Sequence, residues 1–250
     1  MEKEYFGIPI DEGAMGKNDG CKNTPKFLFD LFKIKGELFK LEGGLEEKQE
    51  QIFSQARGIF KEKINGVPVF FGGTHDITGF IFKAFAEANK NAKLLIFDAH
   101  ADCEDAVSVT THEDFVRMLI EKKIIKPENL MIIGLRHVSD IEKEFLKENK
   151  IKNFYFEEIN ASLDTFQKII EGFVSEGQVY VSFDVDVIDS ERMKATGYFP
   201  DGGFCVDEIK AQLDIAFNKA MAFDLVEFNP TKIGLGEDEL IKNLFSSFFV

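Results

Sequence analysis

The sequence predicts an α/β fold of three layers, with helices on both faces of a mostly parallel sheet. Three observations predict it. Short apolar runs alternate with segments of helical period, no repeat or Pro/Ser-rich linker interrupts the alternation, and carboxylates and imidazoles follow four of the apolar runs. At 250 residues, with 44% hydrophobic and 30% charged residues, the composition is that of one globular domain spanning 1–250.

In chain order, the apolar runs Val67–Phe71, Lys93–Phe97, Leu130–Leu135, Asn153–Phe156, Val179–Phe183 and Ala222–Val226 read as buried strands. The intervening segments Leu45–Glu62, Thr78–Ala88, Glu113–Lys123, Asp140–Lys150, Asp164–Ser175 and Asp207–Asn218 carry apolar residues at helical spacing. With 28 Phe, 4 Tyr and no Trp, phenylalanine is expected to fill much of the core.

Composition also excludes function classes. A formal net charge of −14 repels a phosphate backbone, so nucleic acid is not an expected partner; an acidic surface favours metal and small organic cations, although in many proteins it serves solubility alone. No apolar run approaches the roughly 20 residues that span a bilayer, and the charged start Glu2-Lys3-Glu4 has no secretory apolar stretch. A cytoplasmic protein without membrane contact is expected. Cys21, Cys103 and Cys205 are odd in number and far apart, which indicates neither a disulfide framework nor a structural zinc site.

In open parallel sheets, ligands bind beyond the carboxyl ends of the strands. Val67–Phe71 runs into Gly72-Gly73-Thr74-His75-Asp76, and Lys93–Phe97 into Asp98-Ala99-His100-Ala101-Asp102. Val179–Phe183 runs into Asp184-Val185-Asp186-Val187-Ile188-Asp189, and Ala222–Val226 into Glu227-Phe228-Asn229-Pro230. If the second strand continues, Asp98, His100 and Asp102 point to one side of it. A lone Asp-x-Asp is more often a turn than a ligand set. Here three of the four histidines, His75, His100 and His112, fall in or just after these strand ends. Carboxylates so crowded must either hold protons or surround cations. Mixed carboxylate and imidazole donors without thiolate suit Mn²⁺, with zinc, iron or cobalt as alternatives. A carboxylate bridging two ions about 3.5–4 Å apart activates water near neutral pH.

These four ordered motifs resemble those of the arginase and agmatinase (ureohydrolase) family: Gly-Gly-Asp-His, Asp-Ala-His-x-Asp, Ser-x-Asp-x-Asp-x-x-Asp-Pro and Glu-x-Asn-Pro. Gly7-Ile8-Pro9-Ile10-Asp11 and Thr24-Pro25-Lys26-Phe27-Leu28 resemble the family's first strand and helix. The resemblance implies an arginase-like fold, two manganese ions per chain, and hydrolysis of a guanidino compound to urea and an amine. It assigns His75, Asp98, Asp102 and Asp184 to one ion, and His100, Asp98, Asp184 and Asp186 to the other. It gives His112 the role of moving a proton to the departing amine and Glu227 that of gripping the guanidinium. It also implies a homo-oligomer, trimer or hexamer. Thr74 stands where the family has aspartate, Asp76 where serine is usual and Ser190 where proline is usual; none of these is a proposed metal ligand.

The arginase pattern that reads an amino acid's carboxylate is not reproduced in Cys103–Thr111. Glu104 and Asp105 add negative charge there, which favours a small cationic guanidino substrate such as agmatine, and with it a place in polyamine metabolism. Alternatives are a same-fold hydrolase of another C–N bond, such as a formimino substrate, and a non-catalytic metal-binding family member. His137, at another strand end, is expected to be structural.

Overall fold

The computed structural model describes residues 2–62 and 66–249. Eight strands form one sheet: β1 (Lys3–Ile8), β2 (Glu37–Leu38), β3 (Val67–Gly72), β4 (Ala92–Phe97), β5 (Leu130–Leu135), β6 (Lys152–Tyr155), β7 (Gln178–Asp184) and β8 (Ala220–Val226). Their order is β2-β1-β3-β8-β7-β4-β5-β6, and every pairing is parallel. The nine α-helices among the described residues are α1 (Thr24–Phe32), α2 (Leu45–Lys61), α3 (Asp76–Ala88), α4 (Phe115–Glu121), α5 (Asp140–Asn149), α6 (Phe156–Asn160), α7 (Leu163–Val174), α8 (Val206–Phe217) and α9 (Glu237–Phe249).

Alternation along each strand divides the core in two. Phe71, Phe97, Phe183 and Phe223 face one side, where α1, α7, α8 and α9 cover them with Leu28, Phe166, Leu213 and Phe245. Phe70, Leu94, Ile132 and Tyr180 face the other, under α2, α3, α4 and α5 with Ile52, Phe82, Phe115 and Phe145. The expected three layers are therefore present. Phenylalanine does fill the core, as in the parallel rings of Phe245 and Phe249, whose centroids lie 5.0 Å apart.

Several boundaries differ from the periodic reading. The sheet is wholly parallel, and β8 starts two residues before Ala222 because Ala220 already pairs with Val179. Helix α3 begins at Asp76 rather than Thr78, while α4 covers only Phe115–Glu121 of the expected Glu113–Lys123. The first strand begins before the Gly7–Asp11 segment and overlaps it only at Gly7 and Ile8, running from Lys3 to Ile8. β2, α6 and α9 were not anticipated: the first is a two-residue edge pairing, the second a five-residue turn of helix, and the third follows the last recognised motif. β4 stops at Phe97, so Asp98, His100 and Asp102 lie on a loop and not on a continuing strand.

The central four strands, β3-β8-β7-β4, are those whose carboxyl ends carry the four motifs. Gly73 shows how tightly that edge is built. A Cβ there would lie 1.7 Å from the Ile10 carbonyl oxygen, and its own carbonyl accepts the Glu227 N–H at 2.7 Å. In α2, by contrast, a Cβ on Gly58 meets nothing within 4 Å. Gly73→Ala is therefore expected to cost about 1–3 kcal/mol by overpacking, whereas Gly58→Ala should add up to about 1 kcal/mol by helix propensity. Thermal melts of the two variants check the contrast, and a Gly73→Ala protein as stable as the parent would contradict the close approach.

Candidate active site

Asp184 is the last residue of β7, and its side chain accepts the Asp186 N–H at 2.8 Å, which winds the chain into a single tight turn. The Asp98 carboxylate accepts the His100 N–H at 2.7 Å, and Asp186 accepts that of Ala99 at 3.0 Å. Backbone donors thus aim both carboxylate-bearing segments inward. A bulge at Gly134, with φ +105°, re-aims Arg136 beneath the same turn. There its guanidinium donates to the carbonyls of Asp186 and Val187 at 2.5 and 3.1 Å.

The imidazoles complete two clusters. His75 Nδ1 lies 2.9 Å from Asp98 Oδ2, 3.0 Å from Asp102 Oδ2 and 3.4 Å from Asp184 Oδ2. His100 Nδ1 lies 2.8 Å from Asp186 Oδ2 and 3.5 Å from Asp98 Oδ1. The groups His75–Asp98–Asp184 and Asp98–His100–Asp186 each offer three ligand atoms within 4.8 Å of one another, and Asp98 belongs to both. Asp102 reaches the first cluster through a backbone held at φ +50°, uncommon for a residue with a side chain.

The residues present fit metal ions. His75 Nδ1 and Asp98 Oδ2 are buried and close together, yet neither has a hydrogen-bond partner, so distance is satisfied but direction is not. Both atoms instead face the space between the side chains. Burial pushes the pKa values of Asp102, Asp184 and Asp186 up, with mutual repulsion adding to the effect, while the imidazoles hold Asp98 below the usual carboxylate range against its own burial. His75 and His100 are raised well above 6.5, because the surrounding carboxylates outweigh burial. A cluster that draws in protons this strongly is one that divalent cations would neutralise.

Beside the clusters, Glu227 is buried, with φ +61°. Its Oε1 accepts the His75 N–H at 2.8 Å and faces His112 Nδ1 at 3.2 Å, while Oε2 accepts from Asn18 at 2.7 Å. Asn229 in turn donates to Asn18 at 2.8 Å. His112 Nε2 is buried without a partner. Burial disfavours the charged form of His112, but the Glu227 carboxylate offsets this and holds the imidazole at about 9. Thr74 and Asp76, the two departures beside His75, hydrogen-bond each other, and Gln49 of α2 bridges Asp76 to the Thr110 carbonyl, 2.7 Å from each. They thereby tie α2 to the loop that carries His112.

All eight residues singled out in the sequence, His75, Asp98, His100, Asp102, His112, Asp184, Asp186 and Glu227, converge here. All but Asp98 line one cavity of about 560 Å³. Its other walls come from Lys17, Glu113, Thr196, Gly197, Tyr198 and His137. His137, expected to be structural, is exposed and lines the cavity, its ring lying 5.3 Å from that of Tyr198 and 5.7 Å from that of His100. Glu104 and Asp105, expected to set the charge of the pocket, do not line it, and Asp105 pairs with Arg117 at 3.2 Å. Sequence reasoning missed Asn18 and Gln49, which carry no motif.

Comparison with known proteins places these residues in context. A profile of the arginase family matches residues 6–237. An arginase of Staphylococcus aureus (strain COL) is 29% identical over 185 residues, covering 66% of this chain and 61% of that protein. An agmatinase of Bacillus anthracis is 28% identical over 169 residues, covering 65% of this chain and 56% of that protein. The chain thus spans less than two thirds of the length of these curated relatives. Among solved structures, the formimidoylglutamase of Bacillus subtilis superposes with a TM-score of 0.90 at 17% identity, covering 97% of this chain and 84% of that one.

The His112–Glu227 pair has a measurable signature. A histidine raised from 6.5 to about 9 stabilises the fold fully below pH 6.5, and that contribution is lost as pH rises through about 9. In Glu227→Gln, the His112 pKa is expected to fall to 6.5 or below, read from imidazole proton shifts of metal-free protein. A value still near 9 would assign the effect to Asp102 and Glu113 instead.

Proposed function

The chain belongs to the arginase family, and on that premise we propose that it is a binuclear-manganese hydrolase that cleaves a guanidino compound to urea and an amine. The observation that carries this reading is the placement of Asp98 between two clusters, with Oδ2 on the His75 side and Oδ1 on the His100 side. One carboxylate facing two donor sets is what a pair of neighbouring cations requires. His75, Asp98, Asp102 and Asp184 would hold one ion, and His100, Asp98, Asp184 and Asp186 the other. When bound, the ions supply Lewis acidity that ionises water near neutral pH and positive charge opposite a developing negative one.

The chain's own residues do the rest. A carboxylate offers about four acceptor positions, and Glu227 has three donors on it. Two of these, the His75 backbone N–H and the buried Asn18 amide, are fixed by the fold. The third, His112, is the one a guanidinium can displace, so that two N–H groups of the substrate take up paired hydrogen bonds to Glu227. His112, with Nε2 unpartnered in the cavity wall, would carry a proton to the departing amine.

An agmatine-like tail is the proposed choice. Charge from Glu104 and Asp105 does not support it; the Tyr198 ring in the cavity wall does, as an aromatic face that a cation can lie against. A formimino compound would use the same Glu227 grip, and the identity of the product separates the two.

The test is urea release from agmatine, arginine, guanidinobutyrate and guanidinopropionate by protein loaded with Mn²⁺. Agmatine is expected to give the highest kcat/KM, and Asp184→Ala should lose about 10²–10³-fold, the scale on which removal of one charge-stabilising group acts. Formamide from a formimino substrate and urea from none would replace this reading with the second. Two bound ions with no product from any substrate would point to a non-catalytic family member.

A further inference from the structure

An aspartate sits in the middle of the apolar strand β8, in Ala220-Met221-Ala222-Phe223-Asp224-Leu225-Val226. Asp224 is completely buried on the face covered by α3, where its neighbours along the strand, Ala222 and Val226, belong to the hydrophobic core. A carboxylate there is costly unless every oxygen is satisfied. It is satisfied by three hydroxyls: Ser182 Oγ donates to Oδ1 at 2.6 Å, and Thr78 Oγ1 and Tyr180 OH donate to Oδ2 at 2.8 and 2.7 Å. Ser182 is its direct cross-strand neighbour on β7, and Ser182 stands two residues before Asp184 on the same face. The network therefore lies directly beneath the metal-site carboxylates.

The directions of these bonds decide what the network does. A serine hydroxyl has one proton, and that of Ser182 is committed to Asp224. Of the other contacts of Ser182, that with Thr78 Oγ1 at 3.2 Å takes no proton from it, and that with His75 Nε2 at 3.0 Å must then run the other way, with Nε2–H donating to Oγ. The proton of the neutral imidazole is thereby held on Nε2, leaving the Nδ1 lone pair for the space shared with Asp98, Asp102 and Asp184.

We propose that Asp224, acting through Ser182, is a positioning residue that sets the ring orientation and tautomer of His75 for its metal ion. The line Asp224–Ser182–His75 is a serine-extended version of the carboxylate–histidine–metal arrangement in which an outer partner fixes a ligating histidine. It rests on the metal-centre reading above. It also gives the buried hydroxyl of Tyr180 a limited role: that group bonds Oδ2, off the line to His75, so it supports the carboxylate without steering the ring.

Metal-free full-length protein is titrated with Mn²⁺ by equilibrium dialysis, and the melting temperature of each metal-free variant is recorded beside it. The parent is expected to take up two ions. Ser182→Ala should bind one of them about 10–100-fold more weakly, the other, which His100, Asp98, Asp184 and Asp186 would hold without His75, changing little. Asp224→Asn should weaken the same ion to a smaller degree, and Ser182→Thr, which restores a hydroxyl, should recover most of the affinity. Tyr180→Phe should lower the metal-free melting temperature without weakening that ion, which separates positioning from mere stability; Asp224→Asn carries the test if Ser182→Ala does not fold. Unchanged affinity in both Ser182→Ala and Asp224→Asn overturns the proposal and leaves the metal centre standing. So does a loss that follows melting temperature equally in Tyr180→Phe and Ser182→Ala. No uptake of Mn²⁺ by the parent overturns the metal-centre reading, and this inference with it.

Discussion

Four carboxylates, Asp98, Asp102, Asp184 and Asp186, are confined at one strand edge, none more than 8% exposed. Like charges so close and so poorly solvated cannot all remain ionised without opposite charge among them. Much of the surrounding architecture answers that constraint. Backbone N–H groups of Ala99, His100 and Asp186 point at carboxylate oxygens, two imidazoles stand between them, and Arg136 is clamped beneath the turn that carries Asp186. Even so, the pKa values of three of the four carboxylates are displaced upward. The protein alone leaves the edge short of positive charge, which is the physical content of calling it a metal site.

Most of the fold was legible because it is written in strong periodic signals. A fully buried parallel strand is a continuous apolar run, and the five clearest runs fall on β3, β4, β5, β7 and β8 with their ends displaced by no more than two residues. β2 was illegible because Glu37 and Leu38 are exposed and carry no pattern. α9 was illegible for a different reason: its amphipathic stretch follows the last motif, beyond the region where strand and helix alternate. The shift of α3 to Asp76 arises because Asp76 forms its bonds with Thr74 and Gln49 and lies in the first turn of the helix, where an acidic side chain is favourable.

The site was legible where one strand delivers several ligands and illegible where residues meet from distant parts of the chain. Asp98, His100 and Asp102 announce themselves by spacing, whereas Asn18 reaches Glu227 across 209 positions. Spacing also misled: Glu104 and Asp105 lie just after a ligand, yet the chain turns them away from the cavity. Asp224 did leave a signal, an acid in the centre of an apolar run, but its partners come from β7 and α3 and only the sheet order brings them together.

The sheet order also governs how the protein can be made. β7 and β8 lie between β3 and β4, so the last strands of the chain are inserted into the middle of the sheet. Pairing between β3 and β8 joins Val69 to Phe223, a loop of more than half the chain, and such closures are slow because their entropy is lost before the contacts form. Until β7 and β8 have been made, β4 and β3 lack these partners on their inner edges, and Asp98 has neither Asp184 nor Asp186 beside it. The nascent chain therefore exposes two open strand edges but cannot yet assemble both clusters. Two ions at the proposed centre would therefore have to load after β7 is in place and could not nucleate the sheet.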